Sequence, residues 1–337
     1  MLKKTLVLLF FTVGLSPVFS FTEKKPRPVL KKIIIDAGHG GKDPGAKGLL
    51  STEAQICLAI SLKLGKAIEK EIPGVQVLYT RTTDIIPGNK PNKDEGLRHR
   101  ANFANQSGAD LFLSIHCNSA GKAPGGWNER RIVGYEQKVS YKGQGKKRKK
   151  VVTKVPIYET YYVVNEAVGT ESYIWTAKEN SHKGQVVSAE FSSEEDSTIT
   201  VPENDPVINA LKMIYAKKYF LNSFRLADLV QKEFEKSGRI NRGVKQRNEK
   251  GIWVLHATGM PSVLIETGFI SNKKEEEYMV SEQGQAEIVR DITNALKNYI
   301  TILQNQKAPA GNVSVPKNNQ KETLSFLQAI EQKEISK

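Results

Sequence analysis

The sequence contains few cysteines: only Cys57 and Cys117 occur among 337 residues. Two cysteines cannot form the disulfide framework that holds small secreted domains together, so the fold must rest on a hydrophobic core. The pair is compatible with one disulfide bond and equally with two buried free thiols. The sequence leaves both alternatives open.

Long apolar runs are also scarce, and the only one lies at the N-terminus. Residues 6–15 follow two lysines and are almost entirely apolar, and the small side chains of Val18 and Ser20 precede a suitable cleavage position. This pattern is typical of a secretory signal peptide, and the run is short for a bilayer span. We expect residues 1–20 to be a signal peptide and residues 21–30 a short linker. The mature chain should then have no membrane span and be exported to the periplasm or cell envelope.

Acidic residues are outnumbered, since 50 Lys and Arg against 36 Asp and Glu give a net charge of +14. A basic surface attracts polyanions such as nucleic acid, anionic lipid or acidic wall polymers. The last two suit an exported protein, and the sequence shows no recognised nucleic-acid-binding module, so we expect no nucleic-acid partner. Part of the charge lies in residues 146–150, which are equally compatible with a solvated loop.

Apolar runs and helical periodicity alternate along much of the chain. Residues 33–35 are three isoleucines that end in a glycine-rich loop, which predicts a buried strand. Alternation of strands with helices predicts an α/β fold, with helices on both faces of a sheet. The predicted strands are 33–35, 75–80, 111–115, 170–175, 252–255 and 262–265, and the predicted helices are 52–71, 95–106, one or two within 206–236, and 283–303.

The alternation is interrupted after Asn118. Residues 121–168 contain glycines, a basic run and alternating stretches, which predict a β-rich insertion. Residues 186–205 are acidic and polar and predict a flexible loop. Residues 304–337 are dominated by Gln, Asn, Lys and Pro, so we expect a low-complexity tail that is disordered or loosely docked. Residues 31–303 then form one predicted domain.

Two of the five histidines stand out by their position. His39 lies in the loop after residues 33–35, and His116 follows residues 111–115. Ligand sites of open α/β sheets form outside the carboxyl ends of the strands. The two imidazoles are therefore expected at the same edge of the sheet.

Two carboxylates can reach that edge. Glu53 begins the first long helix, and Glu266 follows the strand at 262–265. A catalytic zinc ion takes imidazole and carboxylate ligands from three protein side chains and keeps a water, while a carboxylate that does not ligate can transfer a proton. The sequence predicts one Zn²⁺ on His39, Glu53 and His116, with Glu266 as the base. Taken singly, Glu53 also suits a helix N-terminus, and Glu266 could simply pair with an arginine.

Other side chains are weaker candidates. Asp36 could orient a metal ligand, and His256 ends the predicted strand near Glu266 and could contact substrate. A thiol ligand is a further alternative, because Cys57 lies one helical turn after Glu53 and Cys117 is adjacent to His116 in sequence.

Ordered sequence blocks carry a family resemblance. Residues 34–46 read IIDAGHGGKDPGA, and residues 114–118 read SIHCN. Further blocks follow at 79–81 with 97–100 and 104–105, at 178–180, 223–227, 241–245 and 260–272. Together the blocks span most of residues 31–303 and resemble the zinc-dependent N-acetylmuramoyl-L-alanine amidases of the amidase-3 type. Arg81 and Asn118 lie within these blocks and are candidate residues for contacting substrate or supporting a ligand.

The resemblance implies a single α/β domain with a twisted, mostly parallel sheet between helices. It implies zinc on His39, Glu53 and His116, with Glu266 as the catalytic carboxylate. The implied reaction is hydrolysis of the amide bond between N-acetylmuramic acid and L-alanine in peptidoglycan. Zinc-bound water is the implied nucleophile, and Glu266 passes a proton to the leaving amine.

The sequence departs from the family pattern in three places. Ala54 follows Glu53 where many members have lysine, His256 stands where arginine is common, and residues 121–168 exceed the family minimum. Some cell-division members carry an inserted segment that occludes the zinc until a partner moves it. We therefore hypothesise that residues 121–168 or 186–205 cover the site and that a protein activator relieves the occlusion.

Two other functions compete with this interpretation. One is a zinc peptidase that cuts within the stem peptide of peptidoglycan. The other is a non-catalytic wall-binding protein built on the same fold. The products released from peptidoglycan distinguish the three functions.

Overall fold

The computed structural model describes residues 29–176, 206–247 and 252–307. The predicted signal peptide, most of the linker, the acidic segment 186–205, the block at 178–180 and the tail beyond residue 307 lie outside the described residues. Within the described ranges, no helix combines the length and apolar character needed to cross a membrane.

The described residues form eight strands and six α-helices. The strands are β1 Lys32–Ala37, β2 Gln76–Tyr79, β3 Leu111–Asn118, β4 Gly126–Lys142, β5 Lys149–Val164, β6 Thr170–Ile174, β7 Asn241–Gln246 and β8 Ser262–Phe269. The helices are α1 Glu53–Glu71, α2 Lys93–Gln106, α3 Pro206–Lys236, α4 Trp253–His256, α5 Lys273–Val280 and α6 Glu282–Lys307, with short 3-10 turns at Pro87–Asn89 and Gly145–Lys147.

Six strands form one mixed, mostly parallel sheet in the order β2-β1-β3-β8-β6-β7. The first four strands are parallel, β6 runs antiparallel to β8, and β7 is parallel to β6. The carboxyl ends of β1, β3 and β8 therefore meet the amino ends of β6 and β7 at one edge. This sheet with its helices confirms the predicted fold class.

The core covers both faces of the central strands. Ile33, Ile34 and Ile35 of β1 are fully buried, and successive side chains of a strand point to opposite faces. Helix α1 buries a stripe at helical spacing that includes Ile60 and Leu64, and it contacts β1 and β3. Each such buried side chain contributes roughly 1.5–3 kcal/mol.

The insertion after Asn118 is a long antiparallel hairpin of β4 and β5. Its pairing runs from Gly126↔Val164 to Lys142↔Lys149, and the two strands form a separate two-stranded sheet. This confirms the predicted β-rich insertion. We call residues 126–164 the basic hairpin below.

Three local predictions differ from the structure. The predicted strand at 252–255 is wrong, because Trp253–His256 is a helical turn; a four-residue apolar run does not distinguish strand from helix. Strand β7 was missed because four of its six residues are polar. Helix α5 was missed as well, although Asn272 caps it by accepting hydrogen bonds from the backbone of Lys274 and Glu275.

Candidate metal centre

The three predicted ligands converge at the shared sheet edge. His39 Nε2 lies 3.1 Å from Glu53 Oε2, and His116 Nδ1 lies 2.8 Å from Glu53 Oε1. One ligand atom from each of the three residues lies within 4.8 Å of the others. Two imidazoles and one carboxylate therefore surround a point where a metal ion fits.

Small residues allow this close approach. His39 has a positive φ of 57° and opens the loop after β1. A Cβ atom at Gly38 would lie 2.6 Å from His116 Nε2, and one at Gly45 would lie 2.6 Å from Glu53 Oε2. Only glycine fits at these two positions without displacing the rings or the carboxylate.

Glu53 lies at the first turn of α1. Its Oε2 accepts a hydrogen bond from the backbone N–H of Ala46, and its Oε1 accepts one from Cys117. Burial raises the pKa of Glu53, but hydrogen bonds from His116 and His39 outweigh burial and hold the pKa well below its usual range. The carboxylate is therefore ionised, as a metal ligand must be.

Asp43 supports His39 from the other side of the ring. Its Oδ2 lies 2.9 Å from His39 Nδ1, while His39 Nε2 faces Glu53. A carboxylate on the outer nitrogen of a ligating histidine fixes the tautomer and orients the ring. Sequence reasoning missed Asp43, although it lies four residues after His39 within the glycine-rich motif.

We expect Asp43→Asn to weaken metal binding by about 10- to 100-fold, because the ring of His39 loses its orienting carboxylate. Competition with a fluorescent chelator measures the affinity. Asp84→Asn is a suitable control, since Asp84 contacts the same loop through the backbone of Gly41 but not the ring. Equal affinities for the Asp43 variant and the unaltered protein would contradict the assigned support.

Metal binding should also depend on pH through His39. Burial lowers the pKa of this imidazole, but Glu53 and Asp43 outweigh burial and raise it above the ordinary 6.5. Protons compete with the metal for the ring, so affinity should fall by about tenfold per pH unit below that raised pKa and level off above it. Chelator competition between pH 5 and 9 measures this dependence. If the metal affinity began to decline only below the ordinary histidine pKa, the expected role of His39 would be refuted.

Glu266 lies beside the three ligands. It pairs with His116 in the register between β3 and β8, and its Oε2 is buried with no hydrogen-bond partner among the described residues. Burial, and then the carboxylates of Glu53 and Glu171, raise the pKa of Glu266 well above its usual range. A carboxyl group tuned in this way can both accept and donate a proton near neutral pH.

These groups open into one cavity of about 660 Å³. Lys93 and Arg247 add positive charge to its lining, and Trp253 adds an apolar surface. Of the described residues that line it, none belongs to the basic hairpin, so the hairpin does not cover the metal centre in this structure. The lining also includes His39, Glu53, His116, Glu266, Asp36, Asn118 and Tyr173.

The family model described as N-acetylmuramoyl-L-alanine amidase, amidase-3 type, matches residues 33–298. The chain belongs to this family.

Relatives of this amidase-family chain include curated and solved proteins. It is 46% identical over 90 residues to the sporulation-specific N-acetylmuramoyl-L-alanine amidase of Bacillus subtilis, covering 27% of this chain and 32% of that protein. It is 28% identical over 281 residues to the amidase AmiC of Escherichia coli, covering 82% and 54%. The chain thus spans about a third to about half the length of these relatives.

A solved structure shows the same fold. The CwlD amidase from Clostridioides difficile, in complex with the GerS lipoprotein, superposes with a TM-score of 0.50 at 25% identity. The superposition covers 81% of this chain and 99% of that one. Nearly all of the CwlD fold therefore has a counterpart here.

Glu171 is a further charged residue of this site that sequence reasoning missed. It pairs with Glu266 across β6 and β8, and its Oε1 accepts hydrogen bonds of 2.6 Å from both Arg242 Nε and Lys245 Nζ. Burial raises its pKa, but these two cations outweigh burial and lower it. Glu171 is therefore a fixed negative charge beside Glu266. Its other oxygen accepts from Asn118 and from the Tyr173 hydroxyl.

Asp36 and Arg81 brace the loop that carries His39. Asp36 pairs with Arg100, which in turn donates to the backbone carbonyl of His39. Arg81 donates to the carbonyls of Gly38 and Ala54 and so ties the loop to α1. Asp43, and not Asp36, is the carboxylate that contacts Nδ1 of the His39 ring.

Asn118 and His256, the other two candidates for contacting substrate, differ in their position relative to the cavity. Asn118 lines the cavity, and its amide donates to Glu171. His256 ends α4 and is not among the described residues that line the cavity, whereas Trp253 of the same turn is.

The two cysteines are buried free thiols. Cys117 lies 3.6 Å from the Thr267 hydroxyl, and neither thiol belongs to the group of potential metal ligands among the described residues. The structure therefore favours the free-thiol alternative over a disulfide bond.

Proposed function

We propose that the protein is a zinc-dependent amidase that hydrolyses the bond between N-acetylmuramic acid and L-alanine in peptidoglycan. The observation that carries this proposal is the convergence of His39, Glu53 and His116 beside the buried carboxyl of Glu266, in a chain of this family. Three protein ligands leave a coordination position open, which is the arrangement of catalytic rather than structural zinc.

Zinc fits the donor set, which contains two imidazole nitrogens and one ionised carboxylate. When bound, the ion would supply a polarised water and a Lewis acid for the carbonyl oxygen. The group of ligands contains no thiolate, which argues against a copper(I) or iron–sulfur site.

Glu266 carries the proton transfers. Its raised pKa and unpartnered buried oxygen suit a group that takes a proton from the attacking water and delivers it to the departing amine of L-alanine. The negative charge of the neighbouring Glu171 contributes to the raised pKa of Glu266. Lys93 and Arg247 place two cations in the cavity lining, and these can pair with carboxylates of the substrate's stem peptide.

The proposed substrate lies outside the cytoplasmic membrane, so we place the protein in the periplasm or cell envelope. The signal peptide at 1–20 remains a prediction, as does a role in cell division. The acidic segment 186–205 remains our candidate for an occluding segment relieved by a protein activator. Its deletion should raise activity on isolated sacculi, and unchanged activity would count against it.

Digestion of purified peptidoglycan with and without a chelator tests the proposed reaction. Mass analysis should find intact stem peptides with L-alanine at their amino end, together with glycan strands free of peptide. The chelator should abolish both products. Fragments cut within the stem peptide would identify a zinc peptidase, and binding without release of fragments would identify a non-catalytic wall-binding protein.

A further inference from the structure

The basic hairpin concentrates charge. Residues 126–164 contain ten Lys and Arg against three Glu, which gives +7 and accounts for half of the chain's net charge of +14. Among the described residues, its two strands pair only with each other. An isolated two-stranded hairpin is marginally stable in water, so a contact with another molecule would add to its stability.

One face of the hairpin is aromatic and exposed. Directly paired residues of β4 and β5 point to the same face. Before the bulge between Ile132 and Gly134, even-numbered residues of β4 pair with even-numbered residues of β5, and beyond the bulge odd-numbered residues of β4 do so. The even-numbered residues of β5 therefore mark one face along the whole hairpin. Four tyrosines on this side are each more than half exposed. This tyrosine face contains Tyr135 (62%), Tyr141 (56%), Tyr158 (55%) and Tyr162 (60%), with Ile132, Val139 and Val152 between them.

The opposite face has internal partners for its aromatic residues. The indole of Trp127 and the hydroxyl of Tyr161 both donate to Glu129, at 2.7 and 3.0 Å. The guanidinium of Arg131 packs over the Tyr161 ring, 5.6 Å from its centroid. On the tyrosine face, the Arg148 guanidinium packs over the Tyr141 ring, 4.5 Å from its centroid. The rings of Tyr135, Tyr158 and Tyr162 are each more than half exposed and remain available to another molecule.

Cations are interleaved with the exposed tyrosines. Lys150 lies opposite Tyr141, Arg130 lies on the same side between Tyr158 and Tyr162, and Lys154 lies between Tyr141 and Tyr135. At about 3.3 Å per residue, this mixed stripe extends about 40 Å along the hairpin. An exposed apolar patch of this extent marks an interaction site, and its charge requires an anionic partner.

The form of the hairpin favours a wall polymer over a lipid surface. Its tip, residues 142–149, reads KGQGKKRK and contains no aliphatic or aromatic side chain that could enter a bilayer. A line of tyrosine rings instead offers flat apolar surfaces with hydroxyl groups, which suit the apolar faces and hydroxyls of sugar rings. The adjacent cations can pair with the carboxylates of attached peptides.

The base of the hairpin is fixed near the metal centre. The backbone N–H of Gly125 donates to the carbonyl of Ser271, and Asn165 in turn donates to the carbonyl of Gly125. Asn118 and Ser119, shortly before the hairpin in the chain, line the cavity. A long polymer bound to the hairpin would therefore lie within reach of the cavity.

We propose that the tyrosine face of the basic hairpin is a second binding site for peptidoglycan, which holds a glycan strand and its anionic peptides beside the metal centre. The identity of the polymer rests on the proposed function. Such attachment raises the local concentration of scissile bonds without changing the chemistry at Glu266.

The test combines Tyr135→Ser, Tyr158→Ser and Tyr162→Ser in one variant. In a Glu266→Gln background, cosedimentation with purified sacculi should show binding weakened at least about tenfold, while Tyr161→Ser on the opposite face binds normally. With Glu266 intact, release of stem peptides from sacculi should fall similarly, while cleavage of a soluble muramoyl-peptide should stay unchanged. Far-ultraviolet circular dichroism checks that the substituted hairpin keeps its β-structure.

A second variant tests the proposal independently, in case the triple tyrosine variant misfolds. Lys150→Glu with Lys154→Glu keeps all four tyrosines and should weaken binding to sacculi by a comparable factor. Unchanged binding of this variant to sacculi overturns the proposal. The proposal also fails if the variants bind sacculi normally and lose only their binding to phosphatidylglycerol vesicles, or lose only self-association as measured by sedimentation velocity. If the soluble substrate resists even the unaltered protein, the proposed reaction fails, while binding to sacculi still decides the role of the hairpin.

Discussion

Glu266→Gln is expected to lower kcat/KM for peptidoglycan hydrolysis by about 10²- to 10⁴-fold. Glutamine keeps the shape of the side chain but cannot take a proton from water and return it to the leaving amine. The metal should stay bound, because Glu266 is outside the His39, Glu53 and His116 group. Release of stem peptides from sacculi measures the rate, and elemental analysis measures the metal.

Glu277→Gln is the matched control for this experiment. Glu277 lies on α5 with a half-exposed side chain, and its nearest cation, Lys273, is 3.9 Å away. Its removal should leave the rate unchanged. A Glu266 variant with nearly full activity and full metal content would show that another group transfers the proton, and the neighbouring Glu171 would be the first to test.

Glu53→Gln is expected to weaken metal binding by more than about 100-fold and to abolish activity together with it, since the site loses its only anionic ligand. The same change should lower the pKa of His39, because the Glu53 carboxylate is a principal group that raises it. Metal titration measures the affinity, and nuclear magnetic resonance of the metal-free protein follows the histidine ring.

The control for Glu53 lies on the same helix. Glu71→Gln at the far end of α1 removes an equal charge that pairs with Lys297, away from the metal centre. It should leave metal content and the His39 pKa unchanged. If Glu53→Gln retained one equivalent of tightly bound metal, the three-ligand assignment would be wrong.

The carboxylate pair at the site illustrates a limit of sequence reasoning. Glu266 could be identified because it follows a clear apolar strand and lies in a recognisable block. Glu171 could not, because its closeness to Glu266 arises only when β6 inserts antiparallel between β8 and β7. No local pattern in the short segment TESYI indicates that strand direction.

The helical turn at Trp253–His256 and the strand Asn241–Gln246 show a related limit. Both segments are short, so their local periodicity is weak and their surroundings decide their structure. By contrast, α1 was predictable nearly to the residue, because 19 residues with a regular apolar stripe carry a strong periodic signal.

The sequence by itself determined the class of fold and the edge at which His39 and His116 meet. These two features follow from strand and helix periodicity and from the parallel direction of the strands that carry them. The proposed ligand set, with Glu53 as its third member, rested on the family resemblance as well. Only the tertiary structure decided that Asp43 supports His39, that Glu171 lies beside Glu266, and which face of the basic hairpin is open. These contacts depend on loop conformation, strand order and a β-bulge, which bring together residues that no local periodicity relates.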